Sequence, residues 1–168
     1  HVLTVAQFGR ERLERCLDLA AECKRRPTLG RDLLAGRSLA LVFQKPSIRT
    51  RVSFEVAINT LGGSSIYLAP EDIQLDKREP IKDVARTLSR YVAGIVARVF
   101  RHDQVEEFAR YASVPVINGL SDLHHPCQAL ADLLTIRERF PRLAGLTVSY
   151  IGDGNNVLHA LMQSTSLL

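Results

Sequence analysis

No stretch of the 168-residue sequence approaches the roughly eighteen consecutive apolar residues of a membrane-crossing helix, so no membrane span is expected. Aromatic residues are scarce, at 6%, and no hexamer is dense in Lys and Arg. Without stacking platforms or a basic block, nucleic acid is not expected as a partner. The cysteines, Cys16, Cys23 and Cys127, lack metal-ligand spacing, and no cluster of His, Cys or carboxylates supplies it, so no metal is expected. An odd cysteine count without a secretory signal suits reduced thiols inside a cell. The expected location is cytoplasmic; because the chain opens on His1 rather than Met, a mitochondrial matrix location stays open. Internal repeats and low-complexity tracts are absent too.

What is present is ordinary globular composition, 46% hydrophobic and 24% charged, in a length that supports one substantial core. Lys and Arg number 22 against 18 Asp and Glu, a net charge of +4 spread along the chain. That modest bias suits anionic small molecules.

Apolar periodicity alternates between strand-like and helical. Leu13, Leu17, Ala20 and Ala21 recur at helical spacing, closed by Pro27. Leu39 to Phe43 is a short continuous apolar run of the kind buried in parallel sheets. A polar turn, Gln44 to Ser47, leads to a helix around Arg51 to Leu61, ended by Gly62 and Gly63. Ser65 to Leu68 reads as a strand, and Ala69 to Glu79 as an exposed loop. Pro80 opens a helix containing Val84, Leu88 and Tyr91. Then come a strand at Ala93 to Val99, an amphipathic helix near Val105 to Tyr111, a strand at Val114 to Ile117 and a long helix from His125 to Arg139. After Pro141 to Gly145, the best boundary, Leu146 to Ile151 reads as one more strand and Gly152 to Asn156 as a turn into a helix. The pattern predicts an α/β fold, a parallel sheet with flanking helices, with residues 1–142 as the main domain and residues 143–168 as the beginning of a second, truncated α/β domain.

Chemistry concentrates at Phe43 to Arg51, where a buried strand runs into a helix start. Unpaired backbone N–H groups and the positive end of the helix dipole suit a phosphate there. Ser47 and Thr50 offer hydroxyls and Arg49 a planar donor fork. A plainer reading accounts for the same residues: Ser47 caps the helix and the arginines face solvent. The segment is no Walker loop, since it lacks the glycines and the Gly-Lys-Thr ending. Arg98, at the end of an apolar strand, is either a ligand at the sheet's carboxyl edge or a side chain reaching for solvent. His124 and His125 stand where a helix starts, a place for caps as well as for catalysis. Gln128 lies three residues after His125, on the same helical face. Gln74 on its own is an exposed amide, and Gly152-Asp153-Gly154 does not complete a dinucleotide fingerprint, because position 157 is Val.

The wording of these segments resembles the ornithine carbamoyltransferases, within the aspartate/ornithine carbamoyltransferase family. The resemblance starts with the carbamoyl-phosphate signature Phe43-Gln44-Lys45-Pro46-Ser47-Ile48-Arg49-Thr50-Arg51-Val52-Ser53-Phe54-Glu55. It continues through Asp72-Ile73-Gln74-Leu75, Glu79-Pro80-Ile81-Lys82-Asp83, Leu88-Ser89-Arg90-Tyr91 and Val114 to Leu120. His125-Pro126-Cys127-Gln128 and Gly152-Asp153-Gly154-Asn155-Asn156 complete it, in order, from about residue 37 onward.

The resemblance implies transfer of a carbamoyl group from carbamoyl phosphate to the δ-amine of L-ornithine, giving L-citrulline and phosphate, within arginine metabolism. Ser47, Ile48, Arg49 and Thr50 are then expected to bind the phosphate, with Ile48 replacing a frequent Thr and keeping only its backbone N–H. Arg98, His125 and Thr50 are expected at the carbonyl oxygen, and Gln128 at the carbamoyl NH2. Gln74 is expected to reach a neighbouring subunit's site in a homotrimer or an assembly of trimers, and Asn156 to meet ornithine's α-amino and carboxylate groups. Cys127 is expected to pack, and no cofactor is required. Aspartate or an N-acylated ornithine is the rival acceptor, and a non-catalytic phosphometabolite-binding protein the rival of another class. With a single acceptor-side residue in a short second segment, residues 1–168 are expected to be inactive alone.

Overall fold

The computed structural model describes every residue of the chain except Asp76 and Pro141. After a short 3-10 turn at Val5–Phe8, α1 (Gly9–Arg25) precedes β1 (Ser38–Phe43), α2 (Ile48–Thr60) and β2 (Ser64–Leu68). Then follow α3 (Pro70–Ile73), α4 (Ile81–Leu88), β3 (Gly94–Arg98), α5 (His102–Tyr111), β4 (Val116–Leu120), α6 (Pro126–Arg139) and α7 (Asn156–Ser166).

The four strands are parallel and ordered β2-β1-β3-β4. The alternation of side chains along β1 and β3 explains why both read as continuous apolar runs. Ala40, Val42, Ile95 and Ala97 face one core with Ile81, Val84, Val105 and Phe108 of α4 and α5. Leu41, Phe43 and Val96 face another with Ile58, Phe54 and Tyr67, which belong to α2 and β2. A sheet covered on both faces needs apolar residues at every position. A third apolar cluster joins Val5, Leu13 and Leu17 to Ala129, Leu133 and Ala160, so α1, α6 and α7 pack on one another beside the sheet.

The chain leaves β1 toward β2 on one side, then crosses back over β1 to place β3 on the other. The carboxyl ends of β1 and β3 thus flank the point where the winding reverses, and in open parallel sheets ligands bind in that crevice. A register shift between Ala97 and Arg98 along β4 pairs Arg98 with Leu120 and leaves Gly119 as the extra residue. A Cβ at Gly119 would lie 3.2 Å from Val96 Cγ1, so glycine suits the bulge.

Several expectations need correction. No strand forms at Leu146 to Ile151: these residues carry no ladder partner among the described residues, and Ile151 is 98% exposed. Alternating hydrophobicity makes a strand only where a neighbour accepts its hydrogen bonds. The segment from Ala69 to Glu79 is not wholly loop, because Pro70 opens the one-turn α3, and a bridge pairs Leu75 with Glu79; Asp76 lies outside the described residues. Tyr91 falls outside α4, which stops at Leu88, and its ring is 78% exposed. The fourth strand runs two to three residues later than expected, Val116–Leu120. Pro141, within the expected boundary, lies outside the described residues.

Candidate active site

At the end of β1 the backbone turns through Gln44 to Pro46 and enters α2 with Ser47 as its N-cap. Thr50 N–H donates to Ser47 Oγ at 3.4 Å, and Arg51 N–H closes the first helical turn on the Ser47 carbonyl at 3.0 Å. The capping reading of Ser47 is therefore correct. It does not compete with ligand binding, because the first N–H groups of a helix lack intrahelical acceptors and point toward whatever lies ahead of the helix. Ile48, the first helical residue, turns its side chain outward at 84% exposure.

Ahead of α2 opens a cleft of ≈ 590 Å³ whose lining includes Ser47, Arg49, Thr50, Arg98, His125 and Gln128. Residues separated by up to about eighty positions in sequence meet here because the carboxyl ends of β1, β3 and β4 are neighbours. Ser53 and Phe54 on α2, Gly119 and Leu120 of β4, and Cys127 and Ala131 of α6 complete the wall; none was singled out from sequence as a site residue. Ser53 was within reach of pattern reasoning, since it follows Thr50 by one helical turn.

Arg98 is the centre of this arrangement. Only 8% exposed, it donates from Nη1 to Thr50 Oγ1 at 3.1 Å and from Nε to the Lys45 carbonyl at 3.2 Å. Burial and the nearby Arg49 guanidinium both lower its pKa, with burial the larger cause. Among the described residues no carboxylate pairs with Arg98 or Arg49, and no acidic side chain lines the cleft. Two neighbouring guanidinium groups, one buried, define an anion site by electrostatics alone. Thr50 Oγ1 also accepts from Ser47 Oγ at 3.1 Å. With both bonds accepted, its own hydroxyl hydrogen is the part left to face a ligand.

His125 is the N-cap of α6, followed by Pro126 in the first turn, where proline loses no helical bond. Its Nδ1 is buried without a hydrogen-bond partner among the described residues. Burial first, then the Arg98 charge, push its pKa below the ordinary histidine value, partly offset by Asp132. The ring is therefore neutral near pH 7 and able to donate one N–H. Gln128 Nε2 donates to Asp132 Oδ1 at 2.9 Å, which leaves the amide oxygen as an acceptor for a ligand N–H. Cys127 points back into the protein, with Sγ 3.6 Å from the Asn118 carbonyl, and burial pushes its thiol up to about 11. A thiol held so far from ionisation has no nucleophilic function at neutral pH.

Two expected site residues lie elsewhere. Gln74 caps α3 in the left-handed region at φ 39°, exposed, with Nε2 donating to the Glu71 carbonyl at 3.3 Å. It is absent from the cleft lining. Asn156, at the first turn of α7, donates from Nδ2 to the Ser121 carbonyl at 2.7 Å, so α7 grips the loop that leads to His125.

A parallel α/β domain whose switch point holds two neighbouring guanidinium groups, neither paired with a carboxylate among the described residues, has the form of an anion-binding domain. Residues 1–138 match the family described as aspartate/ornithine carbamoyltransferase, carbamoyl-P binding domain. The chain belongs to the aspartate/ornithine carbamoyltransferase family. It is 56% identical over 163 residues to the ornithine carbamoyltransferase of Thermococcus kodakarensis, covering 96% of this chain and 52% of that protein. Its fold matches the ornithine carbamoyltransferase of Pyrococcus furiosus with a TM-score of 0.95 at 51% identity, over 98% of this chain and 53% of that one. It also matches the aspartate transcarbamoylase of Trypanosoma cruzi, solved in complex with carbamoyl phosphate, with a TM-score of 0.88 at 32% identity, over 98% of this chain and 55% of that one. The chain spans about half the length of the curated relatives it matches. Among the described residues no helix is long and apolar enough to cross a membrane.

Proposed function

We propose that this chain supplies the carbamoyl-phosphate half of an ornithine carbamoyltransferase, with residues 1–142 as the donor-binding domain and residues 143–168 as the beginning of the acceptor side. The observation that carries this reading is Arg98, buried at the head of α2 without a carboxylate partner among the described residues, beside Arg49 and the hydroxyls of Ser47 and Thr50. The phosphate of carbamoyl phosphate sits at the α2 start on Ser47, Arg49, Thr50 and the backbone N–H of Ile48. The carbonyl oxygen lies between Arg98, His125 and Thr50, and the Gln128 amide oxygen accepts from the carbamoyl NH2.

The neutral δ-amine of L-ornithine attacks the carbonyl carbon and forms the new C–N bond. Negative charge gathers on the carbonyl oxygen, where the three donors stabilise it. The bond from carbon to the bridging phosphate oxygen then breaks, and phosphate departs with that electron pair and takes up the proton that the amine nitrogen loses. The products are L-citrulline and phosphate. No step calls on a metal or an organic cofactor. Ornithine is favoured over aspartate because the Asp72 to Leu75 and Asp153 to Asn156 segments have the wording of ornithine carbamoyltransferases; Asn156, outside the donor cleft and bonded to the loop before His125, is the residue proposed for the α-amino and carboxylate end. Carbamoyl phosphate, L-ornithine and further copies of the chain, in a trimer or an assembly of trimers, are the partners in this reading.

Gln74, outside the cleft of its own chain and in a left-handed conformation, completes a neighbour's site in a trimer. In a protein that carries the whole acceptor side as well, mixing an inactive Gln74→Ala form with an inactive Arg98→Ala form restores activity in this reading, since hybrid interfaces hold one intact site. No recovery after verified subunit exchange sinks the trimer. A citrulline assay with ornithine, and with aspartate and N-acetylornithine as rivals, tests the acceptor.

A further inference from the structure

Beside the cleft stands a group of three imidazoles that the proposed chemistry does not use. His124, in the loop before α6, meets His102 of α5 edge to face, with ring centroids 4.9 Å apart. On its other side is His159 of α7, with centroids 6.2 Å apart. His124 Nδ1 is buried without a hydrogen-bond partner among the described residues. The flanking rings are anchored to the same loop: His102 Nδ1 lies 2.8 Å from Ser121 Oγ, and His159 Nδ1 lies 2.9 Å from the Leu123 carbonyl. The loop closes on itself through Ser121 N–H to the His124 carbonyl at 3.0 Å, and its last residue is His125.

We propose that His102, His124 and His159 form a proton-sensitive latch in which His124 is a positioning residue, holding the Ser121-to-His125 loop in place while its ring is neutral. A proton on Nδ1 of His124 sits at a buried atom between two other imidazoles, with no acceptor among the described residues. The ring then turns to bring that N–H to water, and it draws the loop with it. The counter-charges that face it are few. On α5, Glu106 Oε1 is 3.8 Å from His102 Nε2, while Asp122 in the loop is exposed and its carboxylate accepts from His102 N–H at 2.8 Å. α7 contributes only His159 from the groups that act on His124. Burial, His102 and His159 lower the His124 pKa, in that order, and Asp122 and Glu106 offset them only in part. The unfolded chain takes up this proton below the ordinary value of 6.5, whereas the folded chain resists it, so the latch weakens as pH falls below 6.5. The effect on catalysis rests on the reading of His125 given above; the latch itself does not.

The test is a nuclear magnetic resonance titration of the chain between about pH 7.5 and 5, following backbone amides of residues 121–125 and the imidazole resonances of each histidine. The expected result is a transition of the loop amides below pH 6.5 whose midpoint follows His124. It is lost in His124→Phe and retained in His125→Asn. Loop amides that stay unchanged down to the acid limit in the wild-type chain overturn the proposal, whether or not the Phe variant folds. So does a transition that follows His125 or survives in His124→Phe.

Discussion

Arg98 Nη1 donates to Thr50 Oγ1 across 3.1 Å, joining the end of β3 to the first turn of α2. That single bond ties the buried cation to the start of α2 and fixes which way the Thr50 hydroxyl hydrogen can point. Thr50→Val keeps the side chain's shape and removes both accepted bonds. In a protein that carries the whole acceptor side as well, we expect turnover to fall by about 100- to 1000-fold, the usual loss for one donor at a developing oxyanion. Unfolding should shift by about 1 to 3 kcal/mol, because the buried Arg98 loses an acceptor. Steady-state kinetics and denaturant melts on one preparation separate the two effects, and unimpaired turnover contradicts the role of Thr50.

In the same longer protein, His125→Ala should lower turnover more than donor affinity, because its proposed partner is the oxygen on which charge grows. The pH profile has a defined sign. Burial and Arg98 depress the folded pKa, so the ring stays neutral as pH drops through 6.5, while the unfolded chain is already taking up the proton. Stability from this residue is therefore lost progressively below 6.5, and the acid limb it contributes to the rate profile should lie below that value too.

The cysteines should separate by reactivity. Cys23 is exposed, whereas Cys127 is held near 11 by burial. Brief treatment with iodoacetamide at pH 8 should alkylate Cys23 and spare Cys127 in the folded chain, read by peptide mass spectrometry. Modification of Cys127 at a comparable rate contradicts the packed position beside Asn118.

Local pattern carried the reading of the site much further than that of the chain's last third. The Leu39 to Phe43 run and the hydroxyl-rich turn after it announce β1 and the start of α2, because a buried parallel strand and a helix cap each leave a local mark. Placing Arg98 beside Thr50 was not derivable that way: it needs strand order, which sequence spacing does not encode. The family resemblance supplied that link. Leu146 to Ile151 misled because alternation records a preference, and a strand exists only with a ladder partner. α7 was underestimated: its 11 residues, Asn156–Ser166, are tied down by Asn155 Oδ1, which accepts from Val157 and Leu158 N–H, and by burial of Ala160 against the other helices. The imidazole group around His124 left no sequence signal at all, since its members come from three elements.

The most direct test of the central claim, that the cleft ahead of α2 is a carbamoyl-phosphate site, is calorimetric titration of carbamoyl phosphate into the wild-type and Arg49→Ala chains. Arg49 is exposed, so its removal should leave folding within about 0.5 kcal/mol. Loss of its charged hydrogen bonds should cost about 1.5 to 3 kcal/mol, or roughly 10- to 100-fold in Kd. The account predicts saturable binding at one site in the wild-type chain, weakened by that factor in the variant at unchanged thermal stability. Equal affinity in the two chains, or no binding by a wild-type chain shown to be folded, would contradict it.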